Sequence, residues 1–338
     1  LSSLKDVARL AGVSIGTVSR YLNDPDLVRP KTRDTIRVAV ESLHYSPNTI
    51  ARSLRRGRTN LVMVLVWAVG DPFYGDLIQG IDEAARRRNF SVYIKEANSI
   101  HMSPAELNDI LLSRQADGVI LLGGPSPFER SGDYSNAPNH PPVVVANEVA
   151  VPSMRQLPAV RIDSFKASTD MSRYVIGLGH KRIAFMGGEV DSLLLEDREA
   201  AFRRAIAEAG LELPPQYVVY GNLTIDGARR ATRDLLSLAT APTAIICGND
   251  EMAMGTMAEA RAMGLEIPRD LSVVGFDDIR YADVMNPRLT TVGQPARLIG
   301  EQSFNLLWRL LHDPASDART AIVPHRLVIR DSAAPPRS

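Results

Sequence analysis

Gly16 and Arg20 are four residues apart, which on a helix puts both on one face with Ser19 beside them, while Val18 and Leu22 share the opposite, apolar face. One face is left to pack and the other to read a surface. The charge around this segment is cationic. Residues 1–60 carry 11 Lys and Arg against 5 Asp and Glu, a net of +6; the other 278 carry 28 against 34, a net of −6, so a chain of zero formal charge is strongly divided. Lys5, Arg9, Arg29, Lys31, Arg33, Arg52, Arg55, Arg56 and Arg58 are candidate phosphate contacts, groups that give affinity and salt dependence without sequence information. Leu54, apolar among arginines, suits a wedge between base steps in a minor groove; the alternative is that it packs on its own domain.

The elements that hold these residues follow from local pattern. Leu4, Val7, Ala8 and Ala11 recur at helical spacing, Gly12 supplies a turn, and Ser14 is placed to cap the next helix. A third helix opens at Pro30 and buries Ile36, Ala39, Val40 and Leu43. Residues 1–45 therefore read as a three-helix headpiece, a helix-turn-helix that lays its second helix in a major groove of DNA. Residues 46–58, from Ser46-Pro-Asn to Arg58, form a helix too short to be stable alone, a hinge that folds when DNA and a second copy are present.

From residue 59 to 338 the pattern changes. Apolar runs at Leu61–Val69, Val92–Ala97, Gly118–Gly124, Val143–Asn147, Val160–Asp163, Arg182–Gly188, Val218–Gly221, Ala244–Asn249 and Ser272–Asp277 alternate with amphipathic segments. This predicts parallel sheets covered by helices, and the restart after Asp163 predicts two similar α/β lobes with a ligand crevice between them. Cys247 is the only cysteine, so no internal disulfide forms and a reducing compartment fits. The N-terminus has no apolar signal core and no run of 18 apolar residues exists, which predicts a soluble, cytosolic protein without a membrane partner.

Enzyme chemistry is disfavoured. No G-x-G-x-x-G follows the first strand, no P-loop is present, and no Cys/His spacing suits a metal, so neither cofactor nor metal is expected. The six histidines are scattered; His180, beside Gly179, reads as a structural residue of a helix-to-strand turn. A small-molecule transport receptor would share the two-lobed core but has no use for a basic helix-turn-helix.

Several motifs in sequence order resemble the lactose-repressor family of bacterial transcription regulators. They are Lys5-Asp-Val-Ala, Val13-Ser, Thr17-Val-Ser-Arg20, Ser46-Pro-Asn, Ala51-Arg-Ser-Leu54, Asp71-Pro-Phe-Tyr74, Gly179-His-Lys-Arg-Ile183, Asn249-Asp-Glu-Met-Ala253, Val274-Gly-Phe-Asp-Asp278 and Leu289-Thr-Thr-Val292. The resemblance implies a homodimer on a near-palindromic operator and a core similar to periplasmic sugar-binding proteins. It implies crossovers near residues 161–164, 290–294 and 318–322, hence one lobe of about 59–161 and 293–320 and another of about 162–292 and 321–332. It further implies base reading by Ile15, Gly16 and Arg20, phosphate contacts from Ser14, Thr17 and Ser19 besides Lys5, Arg29, Arg52 and Arg55, and a minor-groove role for Leu54. No long heptad tail follows Arg330, which favours a dimer over a tetramer.

The same matching places Phe73, Tyr74, Asp163, Arg198, Asn249 and Asp277 at the effector cleft, with Asn147 and Glu148 as further candidates. An aromatic face with carboxylate, amide and guanidinium groups suits a polyhydroxylated ring. One of Phe73 and Tyr74 is expected in the core. Pro141-Pro-Val-Val-Val-Ala-Asn-Glu148 and Leu157-Pro-Ala-Val-Arg-Ile-Asp163 resemble the family's cytidine-responsive branch, which implies a nucleoside or another ribose-bearing effector. Leu223 stands where the family commonly carries an acidic residue and then an aromatic, so a sugar is the competing effector.

Overall fold

The computed structural model describes residues 2–45, 59–96, 115–123, 141–147, 157–188, 193–313 and 320–337. The chain divides into two compact units, Leu1–Thr59 and Asn60–Ser338.

In the first unit α1 (Leu4–Ala11), α2 (Ile15–Asn23) and α3 (Pro30–Ser42) enclose Val7, Ala8, Ala11, Val18, Val28, Ile36 and Ala39. A capping box starts α1: Ser3 Oγ accepts from the Asp6 amide and Asp6 accepts from the Ser3 amide, satisfying two amides that the helix cannot. Gly12, at φ +64°, ends it in the left-handed conformation that a side chain would strain. Ser14 Oγ accepts from the Thr17 amide at 3.1 Å and starts α2 at once, so the turn between the helices is fixed at both ends.

The second unit holds two six-stranded sheets. The first has the order β11-β5-β4-β3-β1-β2, from β1 (Leu61–Val66), β2 (Ser91–Glu96), β3 (Gly118–Leu122), β4 (Val143–Ala146), β5 (Ala159–Arg161) and β11 (Ala321–Ile322). The second has the order β12-β10-β9-β8-β6-β7, from β6 (Ile183–Gly187), β7 (Val218–Tyr220), β8 (Ala244–Cys247), β9 (Ser272–Asp277), β10 (Thr290–Gly293) and β12 (Arg326–Val328). All pairs are parallel except β10 with β12. The central strands β1, β3, β4, β6, β8 and β9 are buried almost throughout, as parallel strands covered on both faces must be, and so they read as continuous apolar runs.

Helices α4 (Pro72–Arg86) and α9 (Ala296–His312) pack with the first sheet; α5 (Ser164–Gly177), α6 (Leu193–Glu208), α7 (Ile225–Leu236) and α8 (Asp250–Ala262) belong to the second. Gly80 and Gly300 let α4 and α9 approach backbone to backbone: a Cβ on Gly80 would lie 2.1 Å from the Arg297 carbonyl oxygen, and one on Gly300 2.1 Å from that of Leu77. The first turn of α9 is thereby brought against the second and third turns of α4, beside the crossover that precedes α9.

The chain changes sheets three times, at residues 162–163, 294–295 and 323–325. The last change falls later than the 318–322 expected, because β11 still pairs with β5 and the Val323 amide continues that pairing to the Arg161 carbonyl. A two-residue strand is too short to carry an alternating pattern, so its sheet was not readable in advance. Beyond β12 the chain is stitched to the second sheet: Ser332 Oγ accepts from the Thr290 amide and donates to the Val273 carbonyl. His180 adds to this seam through Thr243, Ser272 and the Ala334 carbonyl; burial lowers its pKa, which fits a neutral structural imidazole.

Candidate functional site

On the headpiece, Ile15, Gly16 and Arg20 are exposed along one side of α2 while Val18 is fully buried on the other. Ile15 keeps 43% of its surface accessible, a large apolar group left out of the core. Lys5, Arg20, Arg29 and Lys31 make no ion pair among the described residues, whereas Arg9 pairs with Asp6, and Arg33 with Asp26 at 2.9 Å. The unpaired four are the cations left for phosphates or bases. Ser14 and Thr17 share a hydroxyl–hydroxyl hydrogen bond of 2.9 Å, so the cap and the candidate phosphate contacts are the same groups. Leu54, Arg52 and Arg55 lie outside the described residues.

In the core, a cavity of about 350 Å³ opens at the second crossover. It is lined by Phe73 and Asp76 from the start of α4, by Asp277 at the end of β9 with Ile279 just after it, and by Gln294 and Arg297 at the crossover and the start of α9. Asp71 caps α4, its carboxylate accepting from the Phe73 amide at 2.9 Å, and this sets the direction in which Phe73 leaves the helix. Residues of both lobes and of the connection between them therefore share one site.

The polar groups here are buried and mutually bonded. Asp277 Oδ1 accepts from Gln294 Nε2 at 2.7 Å, and Arg198 Nη1 stands 4.0 Å away. Arg198 is itself fixed: Nη1 donates to the Gly248 carbonyl, and the guanidinium lies 3.6 Å from the centre of the Phe276 ring. Beneath it the buried Asp250 accepts from Thr291 Oγ1 at 2.6 Å and from the Ile279 amide at 2.9 Å. Asp277 and Asp278 both adopt positive φ, 120° and 57°, an unusual pair for residues with side chains. Arg330 and Arg326 hold Asp278 at 2.7 and 2.8 Å and fasten this turn to β12.

The carboxylates raise one another. Burial pushes Asp250 up to about 7. Burial also raises Asp277 well above the usual carboxylate range; Arg198 opposes the rise, and the charges of Asp250 and Asp71 add to it. Asp71 rises through burial, and Glu251 through burial and then the charge of Asp71, so carboxylates of both lobes feel one another across the site. Among the described residues no group of three His, Cys, Asp or Glu is arranged to hold a metal ion, and no helix is long and apolar enough to cross a membrane.

Two family models match the chain: the bacterial regulatory proteins of the lacI family over residues 3–48, and the periplasmic binding protein-like domain over residues 172–333. The transcriptional repressor CytR of Escherichia coli K12 is 34% identical over 331 residues, spanning 98% of this chain and 96% of that protein. The chain belongs to the lacI family of transcriptional repressors.

Other members of the lacI family align along the same length. Catabolite control protein A of Priestia megaterium is 34% identical, with 98% of each chain covered. A transcriptional regulator, CelR, solved with cellobiose superposes with a TM-score of 0.72 at 30% identity, covering 98% of this chain and 100% of that one. The lac repressor dimer bound to operator and an anti-inducer gives 0.84 at 24% identity over 98% and 99%, a likeness of fold.

Within this lacI-family core the residues matched from sequence take different places. Phe73 and Asp277 line the cavity, with Arg198 directly behind Asp277. Tyr74 is buried with its hydroxyl packed at the end of β3, where a Cβ on Gly123 would strike it at 1.9 Å, so it is the core member of the aromatic pair. Asp163 and Asn249 are helix caps: Asp163, exposed, accepts from the Lys166 amide at 2.8 Å, and Asn249, buried, accepts from the Met252 amide at 2.9 Å and donates to the Leu223 carbonyl at 3.3 Å. Asn147 is buried at the end of β4 at φ +78°, and its Oδ1 has no partner among the described residues. Glu148 lies outside the described residues.

Gln294, Asp76 and Asp250 were missed. Asp250 follows Asn249 in a quoted motif but gave no cue to its burial. Gln294 follows Thr290-Thr-Val-Gly293 directly, and the expectation of a crossover at 290–294 was the one signal that could have singled it out.

Proposed function

We propose that this repressor binds a near-palindromic operator as a homodimer, and that a small polar effector in the cavity between the lobes changes its operator affinity. The observation that carries the reading is the cavity itself: Phe73, Asp277 and Gln294 come from one lobe, the other lobe and the crossover between them. A ligand there contacts the lobes and their connection together, so it binds one lobe arrangement better than another, and that difference in affinity is what shifts a conformational equilibrium. On the DNA side Arg20 reads a guanine, Ile15 offers apolar contact to a base such as a thymine methyl, and Gly16 leaves its base without a side-chain partner. Lys5, Ser14, Thr17, Ser19, Arg29, Arg52 and Arg55 contact phosphates. Leu54 enters the minor groove from a hinge that orders when the lobes are correctly set.

The effector class follows from relatives and residues together. The identity to CytR along the whole chain supports a nucleoside. The similarity to CelR solved with cellobiose, and Leu223 in place of an aromatic platform, support a sugar as the second reading.

Selection of operator duplexes from a random pool by the full chain tests the reading, followed by titration in the presence of nucleosides and sugars. A twofold-symmetric site whose affinity changes with one ligand class is expected. Absence of any enriched site refutes the operator reading, and an enriched site indifferent to every ligand that stabilises the core refutes effector control. Leu54→Ala is expected to lower specific affinity while sparing non-specific binding; equal loss of both refutes the wedge.

A further inference from the structure

The cavity wall has more hydrogen-bond acceptors than donors. Gln294 is 7% exposed and gives one Nε2 proton to Asp277, while its Oε1 is buried with no partner among the described residues. Asp277 Oδ1 takes that bond and faces Arg198, while its second oxygen receives no hydrogen bond among the described residues. The cations nearby are committed. Arg198 is held by the Gly248 carbonyl and the Phe276 ring, and Arg326 and Arg330 serve Asp278. Of the lining residues Arg297 alone is cationic, and Glu83 stands 4.0 Å from its Nη1. Asp76 adds a further carboxylate to the wall.

An open carboxylate oxygen beside an orphaned amide oxygen takes two N–H donors on one nitrogen, and such donors favour the ionised form of Asp277 against the burial that raises it. A hydroxyl has one proton and satisfies one of the two. A carbonyl oxygen sets acceptor against acceptor and leaves both unpaired in a buried place, the costly outcome for polar groups. We infer that the effector of this cavity carries an amine, presented to Asp277 and Gln294, on an otherwise hydroxylated molecule. This rests on the effector reading above and narrows it: within nucleosides it selects amino over oxo bases, and within sugars amino sugars over their parents.

The probes are three matched pairs, cytidine with uridine, adenosine with inosine, and glucosamine with glucose, titrated calorimetrically into the full chain near neutral pH. In each pair that binds, the amine is expected to bind about tenfold more tightly or better, the size of effect an unpaired buried polar group produces. Gln294→Leu is expected to bring the ratio close to one. Gln294→Glu, which keeps the side-chain length and adds charge, is expected to raise the preference for glucosamine; thermal melting of both variants reports whether they fold, and the wild-type ratios stand without them. Equal or reversed ratios overturn the inference. So does absence of binding by all three amines at about 10 mM, enough to occupy a millimolar site.

Operator binding by the unliganded wild type is measured on the same preparation. Its loss overturns the repressor reading while the pair ratios remain readable. Intact effector control of operator binding by a ligand without an amine overturns the amine alone.

Discussion

Arg20 and Arg198, each proposed to serve a ligand, have opposite surroundings. Arg20 is exposed on α2, makes no ion pair among the described residues, and has an exposed glycine one turn before it. Arg198 is buried, pinned by a carbonyl, an aromatic ring and a carboxylate. A surface that must find a charged polymer keeps its cations hydrated and available, because the gain comes from counterions released at contact. A cleft that must discriminate one small molecule fixes its groups beforehand, because each group left unpaired by a wrong ligand then carries a penalty. On the proposed reading the same side chain works in the headpiece by being unengaged and in the core by being held.

This contrast is breakable by substitution. Arg198→Ala strips a charge from a buried network and is expected to cost the core about 3–5 kcal/mol, together with its response to ligand. Denaturant unfolding followed by tryptophan fluorescence reads the loss, and a cost below about 1 kcal/mol, the range of an exposed pair, would place this arginine with the surface ones. Arg20→Ala is expected to change fold stability by no more than about 0.5 kcal/mol. Its operator affinity is expected to fall by about 1–3 kcal/mol, with specificity relaxed at one base pair, as titration against single-base operator variants would show. Uniform loss across all variants would make it a phosphate contact.

Acidity sharpens the comparison further. Burial raises Asp250 in the folded core to about 7, above its unfolded value, so the folded state holds that proton more tightly and stability falls as pH rises through 7. Over about pH 6.5 to 8 the loss from this group is on the order of 1 kcal/mol. His180, lowered by burial, acts the other way as pH rises through its unfolded pKa near 6.5, so it offsets part of the decline at the acid end of that window, and an Asp250→Asn variant isolates the share of Asp250. Melting of the full chain across the window is expected to decline, and Asp250→Asn to flatten the decline; an unchanged slope in the variant refutes the assignment. The smallest effect belongs to Gly16→Ala. An added Cβ meets only Ser14 Oγ, at 3.7 Å, so α2 is expected to gain about 0.5–1 kcal/mol, read by amide exchange, while operator preference shifts at one position. A loss of stability would mean that the glycine is there for the fold.

Legibility from sequence divides along the same line. The headpiece was readable because its determinants are local: Ser14, Gly12, Pro30 and the helical stripe of Val7, Ala8 and Ala11 act within a few residues of where they stand. The central strands were readable for a related reason, burial on both faces. The cleft was only partly readable. Phe73 and Asp277 stand in matched motifs and Arg198 at a matched position, all at the cavity, whereas Asp163 and Asn249, matched in the same way, cap helices, since a carboxylate or amide after a strand serves a helix N-terminus as well as a ligand. Gln294 escaped because its importance arises from β9 and a crossover meeting 17 residues apart in sequence, a contact that no local pattern encodes.

The measurement that tests the central claim most directly is operator titration by the full chain with and without the ligand that most stabilises its core, repeated with Asp277→Asn. The account predicts that the ligand changes wild-type operator affinity by tenfold or more, on the order of 1.4 kcal/mol of coupling, and that the variant loses this coupling while still binding operator. Coupling that survives in the variant would contradict it, because the effector would then act from somewhere other than the cavity between the lobes.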